Sequence, residues 1–448
     1  MSKFIALLQF LLALSGCSIG GTTYTSRIDS DQVHLTSKAH VQDGVARFDC
    51  VESSSGICHY TLYPEACSGK ADCQLAPLQR FSVPSGESHQ GGRPDRLPPV
   101  RGDHRRGTRC GLPACDCGQG TLMALRRFLR LAPKVMLGLV LLAIVGVAVL
   151  LGPYAWRVEH IAADARVGFR SDYYLYVPET LHRDANGKAV LLVQPNNSGR
   201  TSDDIGLHRR DAWMTGFERK RIADELGVAL LVPAFPRTAS DWKVYTHALD
   251  RDVLTTREPL LERLDLQLIA MIDDARVRLR NAGTPVDEKV LLQGFSASAM
   301  FANRFTALHP DRVRAASIGS PGGWPIAPVA QVGVDALPYP AGVADLSALT
   351  GRPFDAAAFA RVPQYLYMGD ADDNDSLDFE DGWDTPMSAE VDRLFGDTPL
   401  ARWTHAEALY ARAGADARFE LIPGIGHDRK ALQERSTEFF QRVLTTPR

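Results

Sequence analysis

Gly294-Phe295-Ser296-Ala297-Ser298 restricts this chain more than any other stretch. It comes after the apolar run Val290, Leu291, Leu292 and opens a segment whose Met300, Phe301, Phe305 and Leu308 recur at helical spacing. Small residues two before and two after a serine, between strand and helix, mark a turn too tight for larger side chains at 294 and 298. Such a turn lifts the serine oxygen above the sheet, at the positive end of the next helix. The pentapeptide alone recurs by chance. Its weight depends on an acid and a histidine downstream.

Two further strand-like runs lie C-terminal to it, each ending in a group of catalytic type. Val362-Pro-Gln-Tyr-Leu-Tyr-Met-Gly369 leads into Asp370-Ala371-Asp372, and Phe419-Glu-Leu-Ile-Pro-Gly-Ile-Gly426 leads into His427. In an open α/β sheet the carboxyl ends of the strands converge on one side, where ligands gather. Ser296, Asp372 and His427 are therefore expected to meet, in the chain order Ser, Asp, His. Asp370, Asp373 and Asp375 share the loop, and the count from Gly369 in Gly-x-x-Asp favours Asp372 over them. Ser298, at the outer small position, reads as structural.

From about residue 173 to the C-terminus the chain resembles an α/β-hydrolase of the esterase group that includes polyhydroxyalkanoate depolymerases and feruloyl esterases. The residues that carry the likeness are Tyr173-Tyr-Leu-Tyr-Val-Pro178, Gly294-Phe-Ser-Ala-Ser298, His309-Pro-Asp-Arg-Val313, Gly369-Asp-Ala-Asp372 and Gly426-His427. The resemblance implies a doubly wound, mostly parallel sheet and acyl transfer through a covalent intermediate. Ser296 would attack an ester carbonyl, His427 would carry the proton, and Asp372 would orient the imidazole. It also implies an oxyanion hole made by the N–H of Ala297 and a donor from the loop after an earlier strand. That strand is the run Ala189-Val-Leu-Leu-Val-Gln194, and Asn197 is the candidate donor, with Asn196 and Ser198 beside it. The usual His-Gly of this loop is absent. A Gly-, Pro- and Ala-rich stretch at 320–361 sits where such hydrolases carry a cap, and Trp324 within it is a candidate substrate-binding wall. The substrate class is a small-molecule or polymeric ester. A serine peptidase or acyltransferase with the same triad, or a non-catalytic binding protein on the same fold, are the alternatives.

The first third of the chain is of another kind. Residues 1–17 have Lys3, an apolar run and Leu14-Ser15-Gly16-Cys17, which resembles a lipoprotein signal peptide. Residues 18–85 hold cysteines 50, 58, 67 and 73, an even set suggesting two disulfides with the pairing open. Residues 86–122 are rich in Arg, Gly, Pro and His and read as a disordered linker or a mis-joined reading frame. Residues 123–160 carry Arg126, Arg127, Arg130 and Lys134, and then seventeen uncharged residues at 135–151. At 1.5 Å per residue that run spans about 25 Å, which Gly152 and its neighbours extend toward the ~30 Å of a bilayer core. It is expected to be a single transmembrane anchor (135–152), with Tyr154 and Trp156 at the interface.

The basic flank places the preceding side in the cytoplasm and the 161–448 domain in the periplasm, at a bacterial inner membrane. A lipidated Cys17 would demand the reverse topology. This conflict motivates the hypothesis that two reading frames are joined, a lipoprotein-like one ending near residue 85 and the hydrolase starting at Met123, with the stretch between them translated from out-of-frame or intergenic DNA. Native peptides from 90–115 joined to the rest of the chain would exclude it.

A net charge of −3 gives no reason to expect nucleic acid. All eight cysteines precede residue 118, so the hydrolase has none. With no metal-ligand spacing and no phosphate-cradling glycine loop, neither a cofactor nor a metal is expected. His247 and Asp250 have no partner nearby in sequence, and His247 reads as a surface histidine. Apolar runs at 228–232 and 315–318 complete the expected strands, and 260–280 has helical period.

Overall fold

In the computed structural model, residues 22–30, 33–42, 45–62, 79–92, 152–197, 199–432 and 434–445 are described. Residues 1–98 with 159–448 form one compact unit and residues 99–158 a second. Of the second unit only 152–158 is described, beginning with a turn of helix at 152–155. The expected signal peptide and the apolar run 135–151 lie outside the described residues. Among those described, no helix is long and apolar enough to cross a membrane.

The N-terminal region, expected to be poorly structured, contains paired strands. β1 (Thr22–Ser30), β2 (Val33–Gln42), β3 (Val45–Ser53) and β6 (Ser88–Gly92) form an antiparallel sheet, and β4 (Ile57–Leu62) pairs with β5 (Gln79–Pro84). Period-two alternation explains β3, where Ala46, Phe48 and Cys50 face inward. Cys50 and Cys58 form a disulfide beside Val83. Cys67 and Cys73, the other two of the set from which two disulfides with open pairing are expected, lie outside the described residues. The pairing of β6 carries ordered structure past residue 85, into the stretch whose composition suggests a linker.

The second sheet has eight strands. They are β7 (Val158–Ile161), β8 (Tyr173–Tyr176), β9 (Leu191–Val193), β10 (Ala229–Pro233), β11 (Val290–Phe295), β12 (Val313–Gly319), β15 (Gln364–Gly369) and β16 (Ala417–Ile422); a small β13 (Gln331–Val332) and β14 (Asp335–Ala336) hairpin lies apart. The spatial order is β16-β15-β12-β11-β9-β10-β8-β7. From β10 to β16 the neighbours run parallel, and β8 pairs antiparallel with β10. β9 through β12 and β15 are apolar runs buried almost throughout, as strands covered on both faces must be.

Helices between the strands supply that cover: α1 (Ile205–Leu226), α2 (Arg251–Thr255), α3 (Leu264–Asn281), α4 (Ala297–Leu308), α5 (Leu346–Thr350), α6 (Ala356–Ala360), α7 (Thr385–Phe395), α8 (Pro399–Arg412), α9 (Arg429–Leu432) and α10 (Glu434–Thr445). In α3 the buried Leu264, Leu268, Met271, Ile272, Ala275 and Leu279 form the expected apolar stripe. This helix starts at 264 rather than 260 because Arg263 adopts a left-handed conformation (φ 47°) that breaks the run-in. α4 is buried nearly all round, which suits the central helix of the layer.

The connections place the site. From β9 the chain passes through α1 to β10 on one side, and β11 then pairs with the other side of β9. Such a reversal of winding opens a crevice at the strands' carboxyl ends. Phe295 and Gly319 end opposite each other, and β15 and β16 end together at Gly369 and Ile422, two residues past Tyr367, which pairs with Gly319. The residues just past those ends are Ser296, Ser320, Asp370 and Pro423.

Candidate active site

Ser296 stands between β11 and α4 with φ 60° and ψ −130°. A non-glycine residue at positive φ costs of order 1–3 kcal/mol, so the surroundings must impose it. They do so from both sides. The Ser296 N–H donates to Gly319 O at 2.9 Å, fixing the turn to β12. A Cβ on Gly294 would lie 2.1 Å from Ser298 O and 2.5 Å from Ala299 N, so only glycine fits there. Ser298 Oγ accepts from Phe295 N–H at 3.0 Å and donates to Phe295 O at 2.9 Å. Its hydroxyl is consumed in tying the turn, in keeping with the structural reading. Ala297 is the first residue of α4, where a backbone N–H has no intrahelical acceptor.

Asp372 and His427 meet. His427 Nδ1 lies 2.9 and 3.0 Å from the two Asp372 oxygens, and the Asn374 N–H donates to the same carboxylate at 3.0 Å. Burial alone would raise the Asp372 pKa; the His427 and Asn374 bonds win and hold it below the usual carboxylate value. The neighbouring acids are engaged elsewhere. Asp370 Oδ1 accepts from Gly424 N–H at 2.7 Å, Asp375 pairs with the buried Arg402, and Asp373 is exposed.

The two loops are zipped together. The Asp370 N–H donates to Ile422 O and the Ala371 N–H to Ile425 O, both at 3.1 Å. A Cβ on Gly369 would sit 1.8 Å from Ile425 O, which is why the acid-bearing strand ends in glycine. The imidazole of His427 lies against Phe295, the residue before Ser296, with ring centroids 4.9 Å apart. Its Nε2 is buried and has no hydrogen-bond partner among the described residues. A base whose Nδ1 is held by a carboxylate keeps Nε2 unprotonated and able to accept a proton.

Past β9, Asn196 is buried and its amide is bound to the backbone of Phe235, whereas Asn197 is half-buried with Oδ1 3.4 Å from Gly199 N–H. Ser198 lies outside the described residues. Behind Asp372, a cavity of about 10 Å³ bordered by Ser320, Met368, Asn374 and Trp403 is too small for a substrate group.

Two sequence readings need correction. Trp324 is no exposed wall: it is 1 % exposed, its indole stacks on Phe395 at 4.3 Å, and Nε1 donates to Ala341 O at 2.9 Å. Its stacked face and its polar edge are used in packing against Phe395 and Ala341. His247 is not on the surface either. It is fully buried, with Nε2 2.9 Å from Phe235 O, and burial pushes its pKa down to about 3. Asp250 is buried as well, capping α2 through Val253 N–H and accepting from Tyr245 N–H.

Sequence reasoning missed a buried ion pair close to the turn that carries Ser296. Arg237 pairs with Asp381 and lies 3.7 Å over the ring of Tyr245, which packs against Ala297 and Met300. Nothing in the stretch Ala234-Phe-Pro-Arg237 marks that arginine as internal. Only the fold brings it to Asp381, in the segment after Asp372.

Counted along the chain, the eight strands lie in the order one, two, four, three, five, six, seven, eight across the sheet, with the serine turn after the fifth. The acid comes after the seventh and the histidine after the eighth. This is the α/β-hydrolase fold.

No family model matches the chain, and no curated protein matches it in sequence. Among solved structures it is similar to poly(aspartic acid) hydrolase-1 from Sphingomonas sp. KT-1, with 20% identity and a TM-score of 0.43 over 63% of this chain and 97% of that one. It is also similar to a poly(3-hydroxybutyrate) depolymerase from Bordetella parapertussis, with 19% identity and a TM-score of 0.45 over 67% and 95%. An S-formylglutathione hydrolase from Agrobacterium tumefaciens shares 17% identity, with a TM-score of 0.38 over 64% and 93%.

Proposed function

We propose that this protein is a serine hydrolase of carboxylic esters, working through Ser296, His427 and Asp372 and an acyl-enzyme. The supporting observation is the His427 ring: Nδ1 is held by a buried carboxylate, Nε2 has no partner among the described residues, and the ring lies against the residue before a strained serine. Nε2 takes the Ser296 proton as Oγ attacks the ester carbonyl, and later delivers it to the leaving alcohol. Water then enters, and the same imidazole activates it to release the acid. Charge on the carbonyl oxygen is met by the Ala297 N–H and a second donor from the 195–199 loop.

A fluorophosphonate probe tests this reading. Labelling is expected on the wild type and on Ser298→Ala, and lost on Ser296→Ala. A wild type that stays unlabelled at neutral pH refutes it. We further place the domain on the periplasmic side of a membrane to which 135–152 anchors it, on the strength of the basic flank at 126–134. Protease added to spheroplasts should degrade the domain if that orientation holds, and spare it if the domain is cytoplasmic.

A further inference from the structure

The pairing of β9 with β10 runs out where Val193 meets Leu231, and the Gln194 N–H makes one more bond, to Leu231 O at 3.0 Å. Beyond that point the chain turns into the 195–199 loop, and a side chain takes over the pairing. The Asn196 amide binds both polar groups of one residue: Nδ2 donates to Phe235 O at 2.9 Å, and Oδ1 accepts from Phe235 N–H at 3.1 Å. Since the partner offers one acceptor and one donor, the orientation of the amide is determined. Asn196 is 0 % exposed, so water cannot replace either bond.

Surrounding groups stiffen the same junction. His247 Nε2 is 2.9 Å from Phe235 O and 3.2 Å from Asn196 Nδ2, and Thr246 Oγ1 donates to Pro236 O at 2.6 Å. Phe235 O must accept, so the proton of the neutral His247 ring sits on Nε2. The Ser202 N–H donates to Arg237 O at 2.9 Å, tying the far side of the loop to the same segment. The 195–199 loop is thus anchored through a buried polar junction rather than by apolar packing alone.

We propose that Asn196 is a positioning residue: by locking the loop after β9 onto the Phe235 peptide, it holds that loop's backbone donor at the oxyanion without touching substrate itself. The inference rests on the serine-esterase reading above. An amide suits the task because it mimics one step of a β-ladder where the strand can no longer continue. An apolar side chain of equal volume would fill the space but leave the Phe235 N–H and C=O buried without this partner.

Steady-state hydrolysis of a p-nitrophenyl ester tests it with Asn196→Ala and Asn196→Asp. In Asn196→Ala we expect kcat to fall roughly 10²-fold, as when one oxyanion donor is lost. KM and the pH midpoint of kcat should stay unchanged, and affinity for a boronic acid should fall by the same factor as kcat. In Asn196→Asp, protonation restores an isosteric donor and acceptor. The ratio of variant to wild-type kcat should therefore rise about tenfold or more as pH falls from 8 to 5.5, reflecting the raised pKa of a buried carboxyl.

If Asn196→Ala does not fold, the Asp ratio decides. A folded Ala variant with kcat within threefold of wild type, a flat Asp ratio, or failure of both variants to fold would overturn the positioning role. A wild type that hydrolyses no ester would remove the esterase reading and this one together. An active wild type with an indifferent Asn196 would remove this one alone.

Discussion

Replacing Asp372 by Asn changes one atom in the site and is expected to remove nearly all activity while leaving the fold intact. The carboxylate is buried and spends its two oxygens on His427 Nδ1, with the Asn374 N–H as a third partner. An amide of the same shape can keep the Asn374 bond through its oxygen, which turns its NH2 toward Nδ1. The imidazole must then present Nδ1 as an acceptor and carry its proton on Nε2, the nitrogen that should receive the proton of Ser296. The buried imidazolium that forms on attack also loses its counter-charge.

Inverting the tautomer of a triad histidine in this way costs about 10⁴ in kcat, or roughly 5.5 kcal/mol of barrier at 1.36 kcal/mol per tenfold. The assay is kcat for a p-nitrophenyl ester, with the melting temperature measured alongside. Asp370→Asn and Asp375→Asn serve as controls, since their carboxylates bind Gly424 N–H and Arg402 instead. An Asp372→Asn enzyme within tenfold of wild type would refute this reasoning, and so would a larger loss from either control.

The same contacts lead to other expectations. Gly369→Ala puts a Cβ 1.8 Å from Ile425 O and 2.5 Å from its carbonyl carbon, both backbone atoms, so the His427 loop must shift. We expect kcat to fall by at least about 10²-fold with a lower melting temperature, because small misplacements of a catalytic group are costly. Removing either member of the buried Arg237–Asp381 pair should cost about 3–5 kcal/mol in chemical denaturation, and replacing both by leucine markedly less than the sum. Full burial alone would raise the pKa of Asp265, yet bonds to His309 and Arg263 hold it down to about 2. The stability gap between wild type and Asp265→Asn should therefore be full above the unfolded value of about 3.9 and close as pH falls toward 2, a change of about 2 kcal/mol. A gap independent of pH over that range would contradict the ion pair.

Much of the site is written in short local signals. Gly294 and Gly369 mark backbone approaches so close that an added Cβ would lie 2.1 Å from Ser298 O and 1.8 Å from Ile425 O, and those approaches help fix Ser296 and His427 in place. The runs at β9, β10, β11, β12 and β15 are readable because strands buried on both faces are mostly apolar and lack strict polar alternation. Counting favours Asp372 over Asp370 and Asp375, but what separates them is which partner each reaches across loops some fifty residues apart in sequence.

The features that stay hidden depend on long-range packing. Trp324 and His247 are amphipathic residues found inside or outside with similar ease, and no local pattern reveals that Phe395 covers one and Phe235 engages the other. Arg237 is invisible because a buried arginine is recognisable only through its partner, and Asp381 lies far along the chain. In β3 the alternation of Ala46, Phe48 and Cys50 is legible, but the Arg-, Gly-, Pro- and His-rich composition from residue 86 onward reads as a linker and hides β6.

The central claim is that Ser296 becomes acylated with His427 as its base. Acid quenching during turnover of a slowly deacylated p-nitrophenyl ester, then peptide mass mapping, tests it most directly. The acyl mass should appear on Ser296 in the wild type and be absent from Ser296→Ala and His427→Ala. Turnover without an acyl adduct on Ser296, or an adduct on another residue, would contradict the account.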